Sequence, residues 1–287
     1  MRGSYTSDGA TLNYLDTGEG TPVVFLHPTP LDHSYWLPMV KQLSGVRAIV
    51  PDFRGHGASE LGTNLPVGGF ARVPDAPALT MGQLAADVLA LLDALGVERT
   101  VFVGCSIGGY VLLELWRRAP QRMRALAFVC SKPQADGEAG LAKRAENIGK
   151  VRAEGVSGFL NTMANTLPGA SARTRRPELV NEVRAIMTLT PEAVIAVQAG
   201  LATRPDSLPA VATINVPVLA VAGGEDGAVS PTDMAVFQNV PGGCEWHLLP
   251  DAGHLAAFEQ PERVAGIFRE WLAKISNGRQ PSATYAS

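Results

Sequence analysis

Six apolar, β-branched runs recur along the chain, and between them the apolar residues take up helical spacing. The runs are TPVVFLHP (21–28), VRAIVPDF (46–53), TVFVGC (100–105), ALAFVCS (125–131), VPVLAVAGG (216–224) and CEWHLLP (244–250). A strand that is apolar at nearly every position has no wet face, so it belongs in a sheet covered on both sides. The helical stretches supply that cover and the crossovers that parallel strands require. The fold class is therefore α/β, a mostly parallel sheet flanked by helices. With 287 residues, 46% of them hydrophobic, the chain can build this as one large unit.

Local signals fix several boundaries. Asp8-Gly9 reads as a hairpin turn between two short strands. MGQLAADVLALLDALGV has helical periodicity, with Thr80 and Gln83 in a capping-box pattern at its head and Gly96 as C-cap. Further helices follow Ser106 and begin at Pro261. Two segments break the rhythm. Residues 60–79 carry three prolines and three glycines and no helical period, which marks a functional or mobile loop. Residues 132–212 carry helical patterns without a strand and read as an insertion over the sheet. The core is then 1–131 plus 213–275, and the polar tail 276–287 is expected to be disordered.

A formal net charge of −3 gives no reason to expect a nucleic-acid or membrane-surface partner. The start lacks the apolar core of a signal peptide, and no apolar run is long enough to span a bilayer. Cys105, Cys130 and Cys244 are odd in number, lie in or beside strand-like runs and show no metal-ligand spacing. They read as reduced core residues of a cytoplasmic protein. No metal or cofactor is expected. A homo-oligomer is left open.

The run VFVGCSIGGY (101–110) carries the chemistry. Gly104-Cys105-Ser106-Ile107-Gly108 fits G-x-S-x-G between a predicted strand and a predicted helix, the context of a nucleophile elbow. The turn lifts the serine hydroxyl clear of the sheet and sets the Ile107 N–H at a helix N-terminus, where developing negative charge is favoured. The competing reading is a simple glycine-rich turn. A serine nucleophile needs a base. His254, in DAGHLAAFEQPE, follows the last strand and lies on the same carboxyl edge as Ser106. His247 falls mid-strand, and His56 sits between glycines as a loop holder. His33 is placed at the pocket mouth. The base in turn needs a carboxylate to fix its tautomer. Asp226, after VLAVAGG, is chosen over Glu225 and Asp251. In HPTP after the first parallel strand, Pro28 and Pro30 have no N–H, so Thr29 is the donor available for an oxyanion hole.

The motifs PDFRGHGAS, GCSIGG, GGED and DAGHLAAFEQPE resemble the α/β-hydrolase superfamily, and more closely its small carboxylesterases and 3-oxoadipate enol-lactonase-like hydrolases. The resemblance runs from about Gly9 to Ile275. It implies an eight-stranded sheet, a helical cap at about 132–212, and a cofactor-free Ser106–His254–Asp226 triad. One departure is His27-Pro28, where such proteins usually carry His-Gly. The family's donor follows that glycine and matches Thr29. The implied activity is hydrolysis of a small-molecule carboxylic ester or lactone. Serine C–C hydrolases, perhydrolases and cofactor-free oxygenases share the scaffold, and a slow-turnover ligand receptor is a further alternative. Trp36, Met39, Met163 and Met187 are candidates for an apolar pocket. Arg173, Arg175 and Arg176 read as a solvated basic stretch.

Overall fold

The computed structural model describes residues 1–277. Its strands are β1 (Arg2–Ser7), β2 (Ala10–Asp16), β3 (Thr21–Leu26), β4 (Val46–Pro51), β5 (Thr100–Cys105), β6 (Met123–Val129), β7 (Val218–Gly223) and β8 (Cys244–Leu249). They form one eight-stranded sheet in the order β1-β2-β4-β3-β5-β6-β7-β8. β1 pairs antiparallel with β2, through a turn in which Asp8 and Gly9 both have positive φ (43° and 73°). That two-residue turn matches the twist of the flanking strands. β2 pairs antiparallel with β4, and the remaining pairings are parallel.

All six apolar runs contain strands, and prolines trim the ends of two of them. β3 stops at Leu26, two residues before Pro28, which has no N–H for a ladder. β7 starts at Val218, because Pro217 cannot donate; its carbonyl accepts from Leu126 instead. Alternation along each strand splits the core over two faces. Val101 and Val103 pack into one cluster and Phe102 into the other; Ala125 and Ala127 oppose Leu126 and Phe128 in the same way.

The helices in chain order are α1 (Leu37–Val40), α2 (Met81–Ala94), α3 (Ile107–Arg118), α4 (Glu138–Glu154), α5 (Ser157–Thr166), α6 (Ala170–Arg175), α7 (Leu179–Ala185), α8 (Pro191–Ala202), α9 (Leu208–Val211), α10 (Pro231–Met234), α11 (Ala256–Glu259) and α12 (Pro261–Ser276). Helices α2 and α3 cover one face of the sheet; α1, α11 and α12 cover the other. Between β6 and β7 the chain is helical, from α4 to α9. Thr80 caps α2 by accepting from the Gln83 N–H at 3.1 Å. Gln83 does not complete the capping box. Its side chain donates to Asp8 and to the Asn64 carbonyl, tying α2 to the hairpin.

Segment 60–79 is a loop without helix or strand, apart from one isolated bridge between Val67 and Pro77. It is packed: Phe70, Ala76 and Ala78 are buried against Ile148 of α4 and Ala199 of α8, and the Leu79 N–H donates to the Ala196 carbonyl at 2.9 Å. It braces the helical segment. α12 runs through Ser276, one residue into the expected tail. Residues 278–287 of that expectation lie outside the described residues. No helix among the described residues is long and apolar enough to cross a membrane.

Candidate active site

Ser106 follows β5, the strand between β3 and β6 in the sheet, and precedes α3. Its φ of 52° and ψ of −116° lie in a region that costs a non-glycine residue about 1–3 kcal/mol. The surroundings hold it there. The Ser106 N–H donates to the Val129 carbonyl at 3.1 Å, and its own carbonyl accepts from Gly109 N–H and from the Ser131 hydroxyl. The two flanking glycines are required by close approach. A Cβ on Gly104 would stand 2.5 Å from the Gly108 carbonyl carbon, and one on Gly108 would stand 2.3 Å from the Leu26 oxygen. This is why the sequence reads G-x-S-x-G at this turn.

The loop between β8 and α11 carries His254, which is buried. Its Nδ1 lies 2.8 Å from Asp226 Oδ2, and both side chains are nearly inaccessible. A carboxylate only accepts, so Nδ1 carries the proton and Nε2 keeps its lone pair. Asp226 Oδ1 accepts from the N–H groups of Ala228 and Val229 at 2.8 and 2.9 Å. Burial raises the Asp226 pKa, but the His254 charge and hydrogen bond, with the two backbone donors, outweigh it. The carboxyl ends below its ordinary range. The two rival carboxylates are engaged elsewhere: Glu225 holds the backbone and hydroxyl of Ser171, and Asp251 pairs with Arg175.

Ser106, His254 and Thr29 line one cleft of about 420 Å³, roofed by α4, α5 and α8. Among the described residues the Ser106 hydroxyl has no hydrogen-bond partner, so it is free to turn toward His254 or a ligand. Such bonds commonly tighten only when substrate binds. The N–H groups of Thr29 and Ile107 have no acceptor among the described residues either. The Thr29 loop is fixed from behind. His56 Nδ1 donates to the Arg54 carbonyl, so its Nε2 accepts from the Thr29 hydroxyl at 2.9 Å. His27 bridges the Pro28 carbonyl and the Phe53 N–H, and burial pulls its pKa down to about 3. It is a neutral strut.

Of the other expected residues, Met163 lines the cleft. Trp36 and His33 do not. Trp36 is fully buried and packs on Phe25, within the core cluster that α1, α11 and α12 help to form. Met39 and Met187 are also core. His33 bonds to Asp52 at 2.9 Å, in a small separate cavity bordered by Arg2 and Tyr14. Asp32, His33 and Asp52 bring three potential metal-ligand atoms within 4.8 Å of one another, and none of the three lines the Ser106 cleft. His56 and His247 act structurally, the latter against Glu245 at 3.0 Å. The Cys105 thiol is fully buried, bonded by the Tyr35 hydroxyl, and burial pushes its pKa far up, so it is no reactive neighbour of Ser106.

Sequence reasoning missed several contributors. Glu259 accepts from the N–H groups of Gly253 and Leu255, on either side of His254, and from Gly169 of the helical segment. The His254 N–H donates to the Leu167 carbonyl. The histidine loop is thus bolted to the helices above it. Glu259 stands five residues after His254, and that spacing was the available signal. Ser131, Tyr110, Asp136, Arg144 and Arg204 had none.

The alpha/beta hydrolase family model matches residues 23–267. The chain belongs to that family. Its fold is the alpha/beta-hydrolase fold. A 3-oxoadipate enol-lactonase from Acinetobacter baylyi is 28% identical over 270 residues, covering 93% of this chain and 95% of that enzyme. A putative non-heme bromoperoxidase from Mycobacterium tuberculosis is 27% identical, covering 92% of this chain and 98% of its own. Among solved structures, a thermophilic esterase from Thermogutta terrifontis, with malate bound, superposes with a TM-score of 0.84 at 32% identity, over 96% of this chain and 99% of that one. This alpha/beta hydrolase therefore has esterase and enol-lactonase relatives.

Proposed function

We propose that the protein is a serine hydrolase that cleaves a small-molecule carboxylic ester or lactone through an acyl-enzyme on Ser106. His254 Nε2 takes the serine proton as the hydroxyl attacks the carbonyl. Asp226 keeps the proton on Nδ1 and stabilises the imidazolium. The Thr29 and Ile107 N–H groups receive the oxyanion. His254 then protonates the leaving alcohol and later activates the water that releases the acid. Segment 132–212 acts as the cap over this site. The observation that carries the reading is the buried His254–Asp226 pair at 2.8 Å, facing the same cleft as a serine held at positive φ. The test is hydrolysis of p-nitrophenyl esters and lactones by wild type and Ser106→Ala, with fluorophosphonate labelling. Loss of turnover and labelling in a folded variant supports the reading, and full activity in the variant refutes it.

The bromoperoxidase relative favours one second reading, perhydrolysis. In it, hydrogen peroxide replaces water, attacks the same acyl-enzyme and leaves as a peracid while Ser106 regains its proton. Peracid formation from an ester and peroxide, faster than ester hydrolysis and lost in Ser106→Ala, would select it.

A further inference from the structure

Residues 167–171 lead from α5 into α6 and rest on both loops that carry the Asp226–His254 pair. On the His254 side, the Leu167 carbonyl accepts from the His254 N–H at 2.9 Å, and the Gly169 N–H donates to Glu259 Oε2 at 3.1 Å. Glu259 Oε2 also accepts from Gly253 at 2.8 Å and Oε1 from Leu255 at 3.0 Å. One carboxylate therefore ties Gly169 to both chain neighbours of His254. On the Asp226 side, Glu225 accepts from the Ser171 N–H at 2.8 Å and from the Ser171 hydroxyl. Asp226 is the next residue. The Glu225 N–H donates to the Ala252 carbonyl at 2.8 Å, which joins the two loops to each other.

The contact is close as well as polar. Leu167, Pro168 and Gly169 are buried, and so are Ala252, Gly253 and His254. A Cβ on Gly169 would stand 2.7 Å from both Glu225 Oε2 and the Gly253 nitrogen, and one on Gly253 would overlap the Gly169 backbone. Glycine facing glycine lets the two backbones meet. The N–H groups at the start of α6 have no acceptor inside the helix, so Glu225 and Glu259 satisfy donors that would otherwise be stranded. The two Ser171 donors hold the Glu225 carboxyl below its ordinary value. Arg175 adds an outer tie, donating to Asp251 Oδ2 at 2.7 Å and to the Asp251 carbonyl at 3.1 Å. That tie is exposed and contributes little.

The Asp226–His254 pair is drawn from loops after two different strands, β7 and β8. A base must hold its geometry to within about 0.5 Å to be productive. The strands fix where each loop begins, and the turn from the helical segment grips both further along. We propose that residues 167–171 are a clasp that aligns the base pair, Ser171 acting on Asp226 through Glu225 and Gly169 acting on His254 through Glu259 and Gly253. The pair is then in register only while the helical segment is seated. The proposal rests on the hydrolase reading above for the reaction, and on these contacts alone for the clasp. Gly169, Ser171 and Glu225 do not line the cleft, so they are positioning residues.

The test uses the full chain with Ser171→Ala, Ser171→Thr and Gly169→Ala. Thr174→Ala is the control, on the same helix, where the hydroxyl bonds only the Ala170 carbonyl. Hydrogen–deuterium exchange is followed by mass spectrometry, and p-nitrophenyl acetate hydrolysis gives kcat and KM. Ser171→Ala should lower kcat about 10-fold, the size of one hydrogen bond to a charged group, with KM within about twofold. Gly169→Ala should lower it about 100-fold, since its Cβ wedges the turn off the loops. Ser171→Thr restores the hydroxyl and should recover most of kcat. Exchange should quicken in peptides covering 225–229 and 252–255 and stay unchanged in α2. Unchanged exchange in both loops of Gly169→Ala overturns the clasp, and so does equal quickening in α2, which would mean general destabilisation. A kcat loss in Ser171→Ala that Ser171→Thr does not recover also overturns it. Local quickening in a protein whose wild type neither hydrolyses the ester nor takes up a fluorophosphonate keeps the clasp and overturns the hydrolase reading.

Discussion

Asp226→Asn tests the buried pair most directly. The carboxylate has two jobs: Oδ1 accepts two backbone N–H groups and Oδ2 accepts the His254 Nδ1 proton. An asparagine has one oxygen. The two N–H donors claim it, since an NH₂ against two N–H groups would leave three donors without an acceptor. The amide NH₂ then faces His254 Nδ1 and forces that nitrogen to accept. The proton moves to Nε2, where it blocks removal of the Ser106 proton. On this reasoning kcat falls by about 10⁴-fold, which corresponds to ~5.5 kcal/mol at the transition state. Folding stability loses about 1.5–3 kcal/mol, the size of a charged hydrogen bond. The folded carboxyl titrates below its ordinary value, so this contribution is present above the unfolded pKa of about 3.9 and is lost as pH falls through the folded pKa. The melting curves of wild type and variant should therefore converge in strong acid. Steady-state ester hydrolysis, fluorophosphonate labelling rates and melts from pH 2 to 8 check this. A variant that keeps kcat within about tenfold of wild type would refute the tautomer argument.

Glu259→Gln should lower kcat about 10- to 100-fold with KM little changed, because one amide oxygen cannot serve three N–H groups and the His254 loop loosens; equal effects on kcat and KM in a full kinetic comparison would point elsewhere. Gly108→Ala should give protein destabilised by at least ~2 kcal/mol in urea titrations, since its Cβ would stand 2.3 Å from the Leu26 carbonyl oxygen. A neutral change there would mean the elbow gives way. His33 is a pH-sensitive contact: the hydrogen bond to Asp52 raises its pKa, against burial, which lowers it. Its stabilisation is full below the unfolded value of about 6.5 and is lost as pH rises through the raised folded value. The melting-temperature gap between wild type and His33→Gln should thus be widest near pH 5 and shrink in mildly alkaline buffer. A gap that grows with pH would contradict the pairing.

The sequence by itself determined the fold class, the strand runs and the place of Ser106, because these are local facts. Strands apolar on both faces demand a covered sheet, and the serine turn presses Gly104 against the Gly108 backbone and Gly108 against Leu26, so both positions require glycine. Chain position also picked His254 and Asp226, since residues just past parallel strands gather on one edge. Only the tertiary structure could decide what meets across long separations. His33 and Trp36 sit near the Thr29 loop in sequence, yet the chain turns one to a separate cavity and the other into the core. Asp136 and Arg204 are brought together over 68 residues by the helices between them. Glu259 joins two donors of the neighbouring His254 loop to a third, Gly169, 90 residues away. Periodicity and turn chemistry act within a few residues. The charge and shape of the cleft arise where separate elements pack, and nothing local encodes that.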